Sequence, residues 1–175
     1  MNRPGLTAVT RQGFYANTSP EPPPTINELG FAVGQAVTGG MYYTGVGVHI
    51  LSVAPAAKPG RASITFKIEN NTLQWSPRLQ GDPDAGDVAE FTSVLVALNA
   101  KHEVLSSDAY TVHPFLHAQD SDKMITGAMT VRNDLSISNK TAAVRVVVRD
   151  SSGRIGTADV SAADLQSLVA ALHGR

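Results

Sequence analysis

His113 and His117, followed closely by Asp120 and Asp122, are the side chains whose types best suit a metal ion. Two imidazoles and a carboxylate hold zinc when their donors converge. On an extended strand, however, residues four apart lie about 13 Å apart, so convergence needs a sharp bend at Pro114. Surface histidines are therefore the expected state. Asp82, Asp84 and Asp87 superficially resemble a calcium loop, and Glu90 adds a further oxygen ligand. A calcium loop of the helix-loop-helix kind places a bidentate Glu late and tolerates Pro83 poorly, so acidic residues solvating a turn are the simpler reading.

Nucleophilic chemistry has less to work with. There is no Gly-x-Ser-x-Gly elbow, and the serines fall mainly in turns and on outward strand positions. Glycosidase chemistry requires two carboxylates facing each other across a cleft, and the spacing of the acids places no such pair together. The expectation is a non-enzyme with no cofactor and no bound metal. Trp75, Tyr42, Tyr43 and Tyr110 are the rings available for stacking on a sugar, because a flat ring presents an apolar face to a pyranose. Trp75 follows Leu73 at a strand end, where a sandwich seals its core with a large ring, so core packing competes with ligand contact there.

Composition narrows the partners. With 14 Lys and Arg against 15 Asp and Glu, and no basic stripe, the chain has no footprint for a phosphate backbone, and no nucleic acid is expected. No apolar run approaches the roughly 20 residues that span a bilayer, and the first residues lack the apolar stretch of a secretion signal. The absence of cysteine removes thiol catalysis, thiolate metal sites and disulfides together. A single domain of this size buries enough surface to fold without staples.

The elements that would carry these side chains are mostly strands. Val144, Val146 and Val148 alternate with Arg145 and Arg149, the period of a sheet with one wet face. Asp150 to Gly153 then reads as a tight turn into the next strand. Val46, Val48 and Ile50 alternate, as do Ile64, Phe66 and Ile68. Val88–Leu98, Glu103–Leu116, Ile125–Ile137, Thr141–Asp150 and Arg154–Val160 complete seven strands, a number that suggests a β-sandwich. Before them Thr25 and Glu28 form a capping box, and Ile26, Leu29, Val33, Ala36 and Val37 recur at helical spacing up to Gly39-Gly40, with Gly30 and Gly34 weakening the helix. A second capped helix opens at Ser161 and Asp164 and turns Leu165, Leu168, Val169 and Leu172 to one side. That stripe needs a partner: the sandwich edge, the first helix, or a groove on another protein.

The run from Arg3-Pro4-Gly5-Leu6 through Arg11-Gln12-Gly13-Phe14-Tyr15-Ala16, the prolines from Pro20 to Pro24, the helix and strands, and Val144 to Gly156 together resemble a known arrangement. It is the C-terminal β-sandwich region of large bacterial von Willebrand factor A-related proteins of the acidobacterial type. In that family Arg-x-Gly-aromatic-x-Ala closes the preceding domain, and Asn99-Ala100-Lys101 falls at a hairpin turn. The resemblance implies an accessory module with no catalytic motif, secreted or periplasmic with its parent chain, whose first partner is the upstream von Willebrand factor A-like domain. It also implies that the chain is part of a longer protein. The strand Leu6 to Thr10 would then have lost its upstream neighbour and present an edge, through Leu6, Ala8 and Thr10, to that domain, another protein or a second copy.

Asp134-Leu135-Ser136-Ile137-Ser138 spells the Asp-x-Ser-x-Ser metal-adhesion motif of A domains. That motif needs a buried apolar strand before it and a Thr and an Asp from distant later loops. Val131-Arg132-Asn133 is polar and little chain follows, whereas Leu135 and Ile137 alternate with the serines as in a strand, which is the favoured reading. The sequence as a whole predicts a mainly β chain: residues 1–24 a strand and Pro-rich connector left from an upstream domain, residues 25–175 an immunoglobulin or fibronectin III-like antiparallel sandwich with a short helix before it and one at its end. The expected role is structural support with protein–protein interaction or adhesion; a carbohydrate-binding module, stacking sugars on Trp75, Tyr42 and Tyr43, is the alternative.

Overall fold

The computed structural model describes residues 26–78, 86–117, 120, 123 and 126–173. Leu6, Ala8, Thr10, the proline run, Thr25, Asp82, Asp84 and Asp122 lie outside the described residues. In chain order the elements are α1 (Ile26–Thr38), β1 (Val48–Pro55), β2 (Arg61–Glu69), β3 (Trp75–Arg78), β4 (Gly86–Ala89), β5 (Phe91–Leu98) and β6 (Val104–Val112). They continue with β7 (Phe115–His117), β8 (Ala128–Ser136), β9 (Ala143–Asp150), β10 (Ile155–Asp159) and α2 (Ala162–His173). Among the described residues no helix is long and apolar enough to cross a membrane.

Two antiparallel sheets make the sandwich, one in the order β1-β2-β8 and one in the order β10-β9-β5-β6. Seven strands so arranged follow the A-B-E and G-F-C-C′ order of fibronectin III and related immunoglobulin-like domains. Period-two alternation builds the core between them. Ala62, Ile64, Phe66 and Ile68 on β2 point inward against Leu95 of β5 and against Val144, Val146 and Val148 of β9. Each such buried side chain larger than alanine contributes about 1.5–3 kcal/mol over its exposed state.

The far side of β9 is not wet. Val147 lies in a second core with Val96, Leu98 and Ile155, covered by Ala36 and Val37 of α1, and Arg145 is only 5% exposed. The alternation is as expected, but α1 lies across the outer face of the four-stranded sheet and dries it. Helix α1 stops where Gly39 donates to the Gln35 carbonyl and Gly40 turns left-handed.

At the other end of the chain, Asp164 N–H donates to Ser161 Oγ, capping α2 as the sequence predicts. Leu165 and Leu168 enter the main core, so the sandwich itself is the partner of that stripe. His173 reaches the Ile137 carbonyl at 3.1 Å, tying the last turn of α2 to the segment after β8.

A third sheet, β3-β4-β7, was not foreseen. It is assembled from two connections, β2 to β5 and β6 to β8, and breaks at Glu90 and at His113-Pro114 separate β4 from β5 and β7 from β6. The buried Asp150 carboxylate fastens this sheet's end to the β9–β10 turn. It accepts from Ser152 N, Ser152 Oγ and Arg154 N on one oxygen, and from Gln74 N and Arg154 Nε on the other. Asn70 is a second fastener: its amide donates to the Lys123 carbonyl, and its own carbonyl accepts Trp75 Nε1 at 2.8 Å.

Candidate interaction surface

The two main sheets have four outer strands, and an outer strand that is bare offers unpaired N–H and C=O groups to another chain. Three are blunted. Along β10, Thr157 N–H donates to the Tyr43 carbonyl and Val46 N–H to the Ile155 carbonyl, so residues 43–46 cover that edge. Gly156 makes this approach possible, because a Cβ there would overlap the Val46 carbonyl oxygen. The edge of β1 is broken by a bulge at Leu51, ends on Pro55 and borders a groove whose other wall includes Ser161 and Asp164 at the start of α2. The edge of β8 is closed by side chains: Tyr110 Oη and Arg61 donate to the Asp134 carbonyl, and Ser106 Oγ donates to the Ser136 carbonyl at 2.6 Å.

The fourth outer strand is β6, and among the described residues nothing pairs with its free side. It runs nine residues with no Pro and no Lys, and past a bulge at Leu105 near its start Ser106–Val112 pair with β5 in unbroken register. Its one charge, Asp108, is turned inward and held by Arg61 at 2.6 Å. Ser93 Oγ donates to the Tyr110 carbonyl, so that carbonyl faces β5. By the alternation of an antiparallel pair, Ser107, Ala109 and Thr111 turn their N–H and C=O groups outward. Their side chains are exposed, as are Val104 and Leu105, which adds apolar surface to the open backbone. Nothing in the sequence of β6 marks it as bare; that follows from its place in the sheet.

The expected stacking rings do not form one platform. Trp75 is half-buried and packs on the main core, as its core-packing reading requires. Tyr43 packs on the second core, across the four-stranded sheet from Trp75. Tyr42 is 70% exposed and lies over Arg145, whose Cζ is 5.6 Å from the ring centroid. Tyr110 belongs to the β8 edge seal.

Arg145 is the polar centre of this region. It grips Asp159 through two bonds of 2.6 and 2.8 Å and donates to the Ala36 carbonyl at the end of α1. Burial pushes the Asp159 carboxyl up, but the hydrogen bond and charge of Arg145 outweigh it and hold the group below its ordinary range. The same hydrogen bond raises Arg145, and the bond and charge of Asp159 hold the Tyr42 phenol above its usual range. The signal for a covered Arg145 is Val147: a valine at an outward position between two arginines shows that this face meets something apolar.

The metal candidates stay apart. His113 pairs with Glu90 at 3.5 Å, His117 meets the edge of Phe115, and Asp120 pairs with Lys123 at 2.8 Å. Asp87 sits in β4 opposite Pro77. Asp134 to Ser136 end β8, with Leu135 and Ile137 buried, which is the strand arrangement and not an adhesion-motif loop. No group of three or more metal-ligating side chains occurs among the described residues.

No protein-family model and no curated protein matches the chain.

Proposed function

We propose that this chain is a non-catalytic accessory sandwich of a larger exported von Willebrand factor A-related protein, supporting the preceding A-like domain and meeting protein partners through the β6 side. The observation that carries the reading is that among the described residues no strand pairs with the outer side of β6, whereas the edges of β10 and β8 are sealed and that of β1 is interrupted by a bulge. A two-sheet core with an edge left open among the described residues has what β-strand addition requires: main-chain donors and acceptors for affinity and flanking side chains for selectivity. The separation of Trp75 from Tyr42 and Tyr43 favours this reading over sugar binding.

The test is a melting-temperature comparison of wild type and Ala109→Pro, each with oligosaccharides, Ca²⁺, Mg²⁺, Zn²⁺ and the purified A-like domain of the parent protein. Proline at 109 removes an outward N–H and leaves the β5 ladder intact. A ligand at one hundred times its Kd adds about 2.7 kcal/mol, or roughly 5–10 °C here. The reading predicts that rise with the domain alone, and its loss in Ala109→Pro. A saturable rise with a sugar or cation that survives Ala109→Pro overturns it.

A further inference from the structure

A second site lies on the outer face of the four-stranded sheet, beneath α1. We propose that the crevice between α1 and strands β5 and β9 binds a short aliphatic monocarboxylate. The Arg149 guanidinium grips its carboxylate, and Val33, Val94 and Val147 pack on its tail. This goes beyond the β6 edge and does not rest on what that edge binds.

Arg149 carries the argument, by contrast with Arg145 on the same face of β9. Arg145 is answered: Asp159 takes its charge and the Ala36 carbonyl accepts one of its N–H groups. Arg149 is half-buried, its Nε is sealed from solvent without a hydrogen-bond partner, and it makes no ion pair among the described residues. Its two Nη groups are likewise unbonded but stay open. The carboxylates beside it in the fold are taken, Asp150 by Arg154 and Glu90 by His113. A guanidinium held among apolar groups without a counter-ion is unfavourable, and a carboxylate accepting two parallel bonds from Nη1 and Nη2 neutralises it.

The crevice has a polar end and an apolar one. It encloses ≈ 250 Å³ between Gly30 and Val33 of α1, Thr92 and Val94 of β5, and Val147 and Arg149 of β9. Thr92 lies directly opposite Arg149 and Val94 opposite Val147, so the polar side chains stand together and the valines follow one pleat further on. Thr92 Oγ1 meets Thr111 Oγ1 at 3.2 Å; with Thr111 as donor, the Thr92 hydroxyl is free to donate to a carboxylate oxygen. The valines run on into the second core. Gly30 leaves the crevice open at α1, where a Cβ would meet nothing within 4 Å.

Size and charge set the ligand class. At about 30 Å³ for each non-hydrogen atom, the share of a molecule in liquid water, the crevice takes about eight such atoms, as in hexanoate. Arg149 is the one charged residue among those lining it, which suits a monoanion; a phosphate dianion would keep a charge uncompensated. An uncharged ligand of the same shape leaves Arg149 unanswered, and acetate leaves the valines bare.

Titration of the full chain with hexanoate, hexanamide and acetate, followed through amide chemical shifts, tests this. Hexanoate is expected to shift Thr92, Val94, Val147 and Arg149 saturably and to bind at least about tenfold more tightly than hexanamide or acetate. At ten times its Kd it should raise Tm by about 3–6 °C. Arg149→Met should lose at least about tenfold in affinity for hexanoate. Without ligand it should melt no lower than wild type, because the cation it removes has no partner in the fold; an arginine that served only packing or charge balance would lower Tm when replaced. Gly30→Leu narrows the crevice without touching the guanidinium. It should weaken hexanoate by a similar factor, and it carries the test should Arg149→Met fail to fold. The proposal is overturned by shifts that do not saturate, by equal binding of hexanamide or acetate, or by either variant binding hexanoate as wild type does.

Discussion

Replacing Arg145 with methionine removes the clamp that joins α1, β9 and β10 while keeping the length and bulk of the side chain. The guanidinium is nearly inaccessible, and its partner Asp159 has 27% of its side chain exposed. Breaking a buried pair by removing one partner costs about 3–5 kcal/mol, and partial exposure of Asp159 places this case near the lower end, at about 3 kcal/mol. For a domain of this size that is about 6–12 °C in Tm. The pH dependence carries the sign of the argument. In wild type Asp159 is held below its ordinary range, so its contribution is present above about pH 4 and is lost as pH falls through the folded value. In Arg145→Met the two largest lowering influences are gone and burial is opposed only by the Tyr42 hydrogen bond and the charge of His102, so the carboxyl rises and its protonation costs the folded state less. The deficit should therefore be largest near pH 7 and shrink toward pH 4. Urea melts at both pH values, with Asp159→Leu and the double variant, close the cycle: the double variant should be more stable than the sum of the single losses implies. A loss under about 1 kcal/mol at pH 7, or strict additivity of the two substitutions, refutes the clamp.

Other substitutions probe independent parts of the structure. Asp150→Ala strands the Gln74, Ser152 and Arg154 donors that converge on one buried carboxylate, and should cost about 3 kcal/mol in urea unfolding. Gly156→Ala forces residues 43–46 away from β10 and should cost about 2–3 kcal/mol, whereas Gly34→Ala, which meets open space on α1, should add about 0.5–1 kcal/mol. Equal effects of the two glycine substitutions in thermal melts would contradict the packing described. In phenolate absorbance titrations, subtracting Tyr42→Phe from wild type should isolate a tyrosine that ionises above the ordinary range, and Asp159→Asn should bring it back down.

Much of the architecture is legible in the residues. Alternation at Ile64, Phe66 and Ile68 and at Val144, Val146 and Val148 is strong because each run has a buried face, and the Ser161/Asp164 cap and the Leu165 stripe mark α2. The third sheet escaped because its strands are three or four residues long and one contains Pro77, too short for a period to register. Arg145 was read as solvent-facing because a sequence shows which side chains share a face, not what later covers that face. The β6 edge was hidden for a related reason: bareness is a property of neighbours, and only the order β10-β9-β5-β6 leaves β6 outermost.

The most direct measurement is residue-resolved amide hydrogen exchange at Ser107, Ala109 and Thr111, whose N–H groups face outward from β6. If this edge is the binding edge of the module, these amides exchange at least about tenfold more slowly with the A-like domain present than without it, while Tyr110, bonded toward β5, is protected in both. Unprotected exchange at all three positions in wild type, with and without the domain, would contradict the account.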